Sequence, residues 1–454
     1  MPQLSALVRG LLGNDLVVAI ERAPPEKNQQ PAIGIAGRGF DGDLTSDSTR
    51  TDGYVLSTDI APTILRRFGI ALPSAMSGQA IQAEGSVDVG AIESLGDRMG
   101  VISERRGPVI GISLLVWLVL LGVALLVRGR VARVAVRVVG LSVIYLPMVL
   151  LLGAALEPSK GLEQAVVLLG APALAGLTLL AFRGYRALAV ASGLVVLAHA
   201  IDVIAGSPLT SLSLLGPNPG LGVRFYGIGN ELEALLAVLV VAGTGTALVG
   251  FAPRLSPRRC ATAFLATGLL FALVFAAGRF GADVGAAIVL PIGGAVAAAA
   301  VAAQRRRTAL LVIAAPLAVL ALIALADLVS GANAHLTRSV LDAGGLGDLA
   351  DVAQRRLQLS AHSFGRPVVL VFLPLVAALA VFAVVRRDRF GALLENFPAM
   401  RAGLIGALAA TLIGTLANDS GALVLEIGVA YLLVFVSFAW AESSPQDRSR
   451  VPSG

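Results

Sequence analysis

Charged residues are scarce in this chain of 454 residues, and their scarcity is the first constraint on its class. Asp, Glu, Lys and Arg together make up 14% of the residues, whereas 56% are hydrophobic and the mean hydropathy is +0.83. A soluble domain needs roughly a quarter of its residues charged to cover its surface. The composition therefore excludes an ordinary soluble protein and predicts a membrane protein with many spans.

Cysteine, histidine and aromatic residues are also few. The one cysteine, Cys260, excludes an intrachain disulfide framework and a thiolate zinc cluster. The net charge of +6 could suggest a nucleic-acid partner, but basic patches interleaved with aromatic residues are missing, and aromatics make up only 5% of the chain. We therefore expect no metal site, no cofactor and no nucleic-acid partner.

Residues 1–106 differ from the rest because their polarity is mixed and turn-rich pieces separate short apolar runs such as Asp15–Ile20. This pattern predicts a small α/β segment. The first residues lack a charged stretch followed by an apolar one, so no signal peptide is visible. Two alternatives stay open: the segment is degenerate, or its native reading frame starts upstream of Met1.

One part of this segment resembles a known family. The stretches Gly37-Arg-Gly-Phe40, Ser57-Thr-Asp-Ile-Ala-Pro-Thr-Ile-Leu65 and Met76-Ser-Gly-Gln79 are similar to the last part of the alkaline-phosphatase and sulfatase-like fold. The resemblance covers about residues 30–85 and implies the end of a phosphatase-like domain. That family uses a Ser, Thr or Cys nucleophile and a two-metal cluster of Asp and His, but all three histidines lie beyond this segment. An active phosphatase is therefore not expected.

From Val109 onward, apolar runs of about 20 residues are long enough to span a hydrocarbon core roughly 30 Å thick. The expected architecture is an all-α polytopic membrane bundle of about eleven transmembrane helices within 107–441, followed by a disordered cytoplasmic tail, 442–454. The expected spans are 109–127, 138–156, 164–182, 187–205, 232–251, 260–278, 284–303, 308–329, 367–385, 402–418 and 421–441.

Arginine placement predicts the orientation. Arginines gather in alternate connections between the spans, and positive charge marks the cytoplasmic side. These residues are Arg128, Arg130, Arg133, Arg137, Arg183, Arg186, Arg254, Arg258, Arg259, Arg305, Arg306, Arg307, Arg386, Arg387, Arg389, Arg401, Arg448 and Arg450. We expect a multi-pass protein of the cell membrane, with the N-terminal segment outside and the C-terminus in the cytoplasm.

Under that topology, polar residues from separate parts of the chain lie at the outer ends of spans. Ionisable groups inside a membrane are costly and mark a functional cavity more often than a structural contact. The expected site residues are Arg224, Tyr226, Asn230, Glu231, Arg279, Asp283, Asn418 and Asp419. Each group also has a structural alternative: Asn230 as a helix N-cap, Arg279 with Asp283 as an i,i+4 pair, and Asn418-Asp419 as a tight turn.

Three more polar positions need an interpretation. Glu233, two residues after Glu231, points elsewhere on a helix, so we assign it a supporting role. His199 and Asp202 are three residues apart and are more typical of a structural pair.

The long outer connection, 330–366, contains further arginines and histidines. The spacing of apolar residues from Asp351 to Leu359 predicts an amphipathic helix on the outer leaflet. Arg355 and Arg356 could bind phosphate bidentately, and His362 could act as a base.

The multispan part resembles the O-antigen ligase and polymerase group. The carriers of this resemblance are Arg224-Phe-Tyr-Gly227 with Asn230, Gly278-Arg-Phe-Gly-Ala282 and the loop 330–366. It implies that Arg224 and Arg279 bind pyrophosphate or glycan and that a loop histidine such as His335 or His362 assists the transfer. The chain as a whole is also similar to a bacterial envelope family that joins a phosphatase-like outer domain to a multispan region.

Three functions remain open at this stage. The leading hypothesis is an envelope protein that handles a lipid-linked or phosphorylated glycan precursor at the outer face, with membrane lipid and a polyprenyl-phosphate-linked glycan as partners. Glu231, Asp283 and His362 would then supply a base. The alternatives are a transporter or flippase of an envelope precursor, and a non-catalytic membrane scaffold.

Overall fold

The computed structural model of the chain describes most of the sequence. The described residues are 10, 15–21, 30–73, 76, 78–219, 224–302, 314–323, 325 and 346–443. The expected cytoplasmic tail from residue 444 onward, His335 and much of the expected span 308–329 lie outside them.

Four strands and fourteen α-helices are found in the described residues. The strands are β1 Leu16–Ile20, β2 Ile33–Gly37, β3 Asp43–Thr45 and β4 Gln82–Glu84. The helices are α1 Ile60–Arg67, α2 Val89–Val127, α3 Gly129–Ala154, α4 Lys160–Ala181, α5 Tyr185–Ile204, α6 Asn230–Phe251, α7 Pro257–Ala276, α8 Val284–Ala302, α9 Ala314–Ile323, α10 Leu346–Ser363, α11 Pro367–Val385, α12 Arg387–Leu394, α13 Pro398–Ala417 and α14 Gly421–Glu442.

The chain forms two compact units. The first consists of Met1–Gly107 together with Ser211–Tyr226, and the second of Pro108–Thr210 together with Gly227–Gly454. The predicted multispan region, 107–441, includes the loop 206–231. Most of that loop instead belongs with the N-terminal residues.

The first unit contains two small antiparallel sheets, β1 with β2 and β3 with β4. Leu16 pairs with Gly37 at one end of the first sheet, and Asp43 pairs with Glu84 in the second. The expected mixture of short strands and a helix in this segment is present.

Asp59 is the centre of the hydrogen bonds in the first unit. Its side chain is 0% exposed. One carboxylate oxygen accepts from Ser46 Oγ at 2.7 Å and from the Leu56 amide at 2.9 Å, and the other accepts from Ser48 Oγ at 2.7 Å and from the Gln79 amide at 2.8 Å. Four donors compensate for removing this charge from water, so the carboxylate ties together three stretches of chain.

Tyr54 attaches the loop 211–226 to the first unit. Its ring lies 5.9 Å from the ring of Phe225, and its hydroxyl donates to the Ile92 carbonyl at 2.9 Å. Burial, and then the nearby Asp97 carboxylate, raise the pKa of the Tyr54 hydroxyl above its usual value. Arg98 reaches the same loop, because its guanidinium donates to the Leu212 carbonyl at 3.0 Å.

The second unit is a bundle of apolar helices. Among the described residues, nine helices are long and apolar enough to cross a membrane: α2 to α8, α13 and α14. Each overlaps one expected span, and seven agree with it to within four residues at both ends. The exceptions are α2, which begins at Val89 rather than at 109, and α3, which begins at Gly129 rather than at 138. Helix α11 has the bounds of a tenth expected span, 367–385. This architecture is consistent with an integral membrane protein that spans the bilayer many times.

The centre of the bundle is formed by α6, α8 and α13, which pack backbone against backbone. A methyl group added to Gly406 on α13 would overlap the Gly293 carbonyl on α8. A methyl group on Gly293 would lie 3.0 Å from the Cβ of Ala410 and 3.1 Å from a methyl of Val241 on α6. Small residues at these crossings are what allow the helices to approach so closely.

Candidate functional site

Three segments of the second unit meet at one end of the bundle: the start of α6, the connection between α7 and α8, and the connection between α13 and α14. The Ile228 amide just before α6 donates to the Gly281 carbonyl at 2.9 Å. The Asp283 amide donates back to the Phe275 carbonyl of α7 at 3.0 Å. These backbone bonds fix the connections from which the polar side chains extend.

The most buried contact of this junction joins Glu233 and Asn418. Glu233 lies in the first turns of α6 and is 2% exposed, and Asn418, directly after α13, is 3% exposed. The side-chain Nδ2 of Asn418 donates to Glu233 Oε2 at 2.7 Å. Burying a carboxylate costs free energy unless a hydrogen bond compensates for the lost contact with water. Here the donor is 185 residues away in the sequence.

Asp283 and the first turn of α8 lie beside the Glu233 carboxyl. Asp283 is 4% exposed, and its Oδ1 accepts from the Gly285 amide at 2.8 Å, so it caps the start of the helix. A methyl group on Gly285 would overlap the Glu233 carboxyl. Two carboxyl groups therefore lie at the positive end of the α8 dipole, which favours negative charge there.

Asn230 and Asp419 form a second contact, which is more open to solvent. Asn230 Nδ2 donates to Asp419 Oδ1 at 2.6 Å, and Ser420 Oγ donates to the same oxygen at 3.3 Å. The N-cap of α6 is Gly229, and Asn230 is the first helical residue. The alternative of Asn230 as an N-cap is therefore wrong, and its side chain instead links α6 to the turn after α13.

Helix α10 is attached to this same turn. Ser360 Oγ donates to the Thr415 carbonyl at 2.6 Å, and Ser363 Oγ accepts from the Ala422 amide at 3.0 Å. The exposed guanidinium of Arg356 lies 3.4 Å from the Ala417 carbonyl, one residue before Asn418. The helix expected from Asp351 to Leu359 is therefore part of a longer one, and it carries an arginine to the edge of the polar junction.

We refer to the contacts at this end of the bundle as the polar junction. Its members contribute a buried carboxyl and amide, a capping carboxyl, an exposed amide and carboxyl pair, and one guanidinium. They are Glu233, Asn418, Asp283, Asn230, Asp419 and Arg356. The arrangement offers hydrogen-bond acceptors beside a cationic group, which suits a ligand with both hydroxyl and phosphate groups.

Other expected residues lie near the polar junction in sequence. Glu231 is half-buried in the first turn of α6, Arg279 is exposed in the α7–α8 connection, and Arg355 is exposed on α10. His362 is also exposed on α10, and its Nδ1 is bonded to the Gln358 carbonyl of its own helix at 2.7 Å.

Arg224 and Tyr226 belong to the first unit. The guanidinium of Arg50 lies over the Tyr226 ring, 3.8 Å from its centroid. Tyr226 therefore serves as an aromatic partner of a cation within that unit.

The His199 and Asp202 pair has a structural role in the second unit. The Asp202 carboxylate accepts from the Leu209 and Thr210 amides at 3.0 and 2.8 Å and so closes the turn after α5. His199 Nδ1 is bonded to the Val195 carbonyl of its own helix at 2.9 Å. This agrees with the structural interpretation of the pair.

Sequence reasoning gave Glu233 only a supporting role and did not single out Ser360 or Ser363. A carboxylate inside an apolar span was a usable signal for Glu233. The two serines had no comparable signal, because their partners are backbone groups near the α13–α14 turn.

Across the described ranges of the chain, no group of three or more His, Cys, Asp or Glu side chains could hold a metal ion. Comparisons of the chain with protein-family models, with curated proteins and with solved structures give no match. What the fold and hydropathy support is a class, the multi-pass integral membrane protein.

Proposed function

We propose that this protein binds a lipid-linked or phosphorylated glycan precursor at the polar junction and transfers its glycosyl group, as an envelope protein working at the outer face of the membrane. The observation that carries the proposal is the contact of Arg356 with the Ala417 carbonyl. It brings a guanidinium next to the turn whose Asn418 and Asp419 bond to α6.

The arginines of α10 would hold the phosphate end of the precursor. Arg355 and Arg356 are adjacent and exposed. A guanidinium fits a phosphate with two parallel hydrogen bonds and stays charged at any physiological pH. Their attachment to the turn through α10 would keep the phosphate beside the carboxyl groups.

A carboxylate would act as the base in the transfer. The acceptor hydroxyl oxygen forms a bond to the anomeric carbon and passes its proton to the carboxylate, while the bond from that carbon to the pyrophosphate oxygen breaks and its electron pair leaves with the lipid pyrophosphate. We assign this role to Glu231, which is half-buried, rather than to Asp283, which is 4% exposed and caps α8.

The outer-face assignment depends on the arginine-rich connections. Arg258 and Arg259 lie in the first turn of α7. Arg386 directly precedes α12, and Arg387 is its first residue. These charges are therefore separated from the polar junction by at least one helix along the sequence. If positive charge marks the cytoplasmic side, the α7–α8 and α13–α14 connections face outward.

Binding tests the first part of the proposal. The full-length protein in nanodiscs would be titrated with an undecaprenyl-pyrophosphate-linked sugar, and Arg356→Ala is expected to weaken binding by about tenfold or more, the loss of roughly one bidentate contact. Arg258→Ala, which removes an exposed arginine at the start of α7, is the matched control. Undetectable binding by the parent protein, or equal losses in both variants, would contradict the proposal.

Transfer tests the second part. Glu231→Gln keeps the size of the side chain and removes the base, so it is expected to bind the precursor as the parent does and to lose transfer to an added glycan acceptor. If Glu231→Gln still transfers the glycosyl group, Glu231 is not the base. If the host carrying this variant also shows an unchanged phenotype, the result favours the non-catalytic membrane scaffold.

A second candidate is transport of the precursor. It is favoured by the burial of Glu233, 2% exposed and bonded to Asn418 within the bundle, because deep carboxyl groups are typical of coupling sites in transporters. Reconstituted vesicles distinguish the two functions. Transport moves a fluorescent precursor across the bilayer with no chemical change, whereas transfer alters the glycan without requiring movement.

A further inference from the structure

An exposed apolar tip follows helix α1 in the first unit. It consists of Ile64, Phe68, Ile70 and Leu72, which are 41%, 73%, 54% and 40% exposed. Single exposed apolar residues are ordinary, but a contiguous group of large ones marks a surface that binds something. The question is which partner this apolar tip fits.

The apolar tip has a defined shape. Helix α1 ends at Arg67. Two residues later, Gly69 has a φ of +67°, a left-handed conformation that glycine adopts without steric cost. The Ile70 amide donates to the Leu65 carbonyl at 2.9 Å, which closes a Schellman-type turn. The Phe68 amide donates to the Ile64 carbonyl at 3.2 Å. These bonds hold Phe68 and Ile70 in position at the end of the helix.

The charged residues next to the apolar tip in the sequence are positive. Between Asp59 and Glu84 the sequence contains Arg66 and Arg67 and no acidic residue. Arg66 is exposed, whereas the Arg67 guanidinium donates to the carbonyls of Arg38 and Asp15 at 3.0 and 3.3 Å. An exposed arginine beside large apolar side chains suits a surface whose outer layer is anionic and whose underlying layer is apolar.

We propose that the apolar tip inserts into the headgroup and upper acyl region of the bilayer that this chain itself spans. Apolar side chains flanked by arginine are the composition of segments that lie in the membrane interface. The chain of the first unit continues through α2 into an apolar stretch of membrane-spanning type, so the first unit is tethered to a bilayer. This proposal is independent of the proposed glycan chemistry.

Site-specific fluorescence tests the proposal on the full chain. The single cysteine, Cys260, is replaced by alanine, Phe68→Cys is labelled with an environment-sensitive nitrobenzoxadiazole dye, and the protein is placed in nanodiscs of phosphatidylethanolamine and phosphatidylglycerol. Phospholipids with a nitroxide high on the acyl chain are expected to quench this dye at least about twofold more than the dye at Asp47→Cys, an exposed control position of the same unit.

Charge gives a second measurement. Adding Arg66→Gln to the labelled Phe68→Cys protein is expected to reduce the quenching in nanodiscs that contain phosphatidylglycerol and to leave it unchanged in phosphatidylcholine alone, because only the anionic surface attracts the guanidinium. Labelling at Ile70→Cys repeats the test at a second position of the apolar tip.

Two outcomes would overturn the proposal. Quenching at Phe68→Cys and Ile70→Cys equal to that at Asp47→Cys would place the apolar tip in water. Protection from lipid quenchers together with a disulfide between two copies of unlabelled Phe68→Cys would show that a second copy of this chain covers it.

Discussion

Asp59 in the first unit and Glu233 in the second are both almost completely buried, and they are held in opposite ways. Asp59 accepts four hydrogen bonds from residues no more than 20 positions away. The Glu233 carboxylate accepts from Asn418 Nδ2, 185 residues away, and lies against the start of another helix. A carboxylate whose donors are near in sequence stabilises the local fold. A carboxylate whose donor lies on a distant helix is satisfied only when the helices pack in one particular arrangement.

The largest effect is expected from Asp59→Ala. The four donors would lose their charged acceptor, and hydrogen bonds to a charged group contribute about 1.5–3 kcal/mol each, so the first unit should lose about 4 kcal/mol or more of its free energy of unfolding. Limited proteolysis of the full chain in detergent should show cleavage within residues 40–80 accelerated by about a hundredfold or more.

Asp47→Ala is the control for that measurement, because Asp47 is an exposed carboxylate of the same loop. It should be cleaved at the parental rate. If Asp59→Ala is cleaved no faster than Asp47→Ala, the Asp59 carboxylate does not stabilise the first unit.

Gly285→Ala should have the next largest effect, in the second unit. The added methyl overlaps the Glu233 carboxyl, and overpacking of this kind costs about 1–3 kcal/mol. The melting temperature of the bundle in detergent, followed by scanning fluorimetry, should fall by several degrees. Gly176→Ala on α4 is the matched control, because a methyl there meets nothing within 4 Å, and it should not lower the melting temperature.

A smaller and more specific effect is expected from a double-mutant cycle of Glu233→Ala and Asn418→Ala. Each single change leaves a buried polar group without its partner, so the two losses should exceed the loss in the double variant by about 1–2 kcal/mol. Unfolding in mixed micelles of detergent and dodecyl sulfate would measure it. The exposed pair Asn230 and Asp419 should couple by less than about 1 kcal/mol. Equal coupling in both pairs would show that burial does not distinguish them.

The spans could be predicted because hydropathy depends only on the residues within each helix. The polar groups at the ends of the spans followed from the same pattern, and the structure brings Asn230 to Asp419 and Asn418 to Glu233. The partners themselves could not be predicted. Which face of α6 carries the important carboxylate depends on how α6, α8 and α13 pack, and no local pattern encodes that rotation.

The extent of the first unit was also beyond the sequence. Ser211–Tyr226 lies between two apolar helices and reads as an ordinary connection, yet it clusters with the N-terminal residues. The contacts responsible are particular ones, such as the ring of Tyr54 near Phe225 and the guanidinium of Arg98 on the Leu212 carbonyl. These contacts join residues more than 100 positions apart, so they cannot be predicted from the pattern of neighbouring residues.

The crossing of Gly293 and Gly406 limits how this protein can work. Where two backbones are in direct contact, no flexible side chains lie between them to accommodate sliding. The helices α6, α8 and α13 therefore resist movement past one another. Relative movement within the second unit is therefore expected of the helices outside this crossing rather than of α6, α8 and α13.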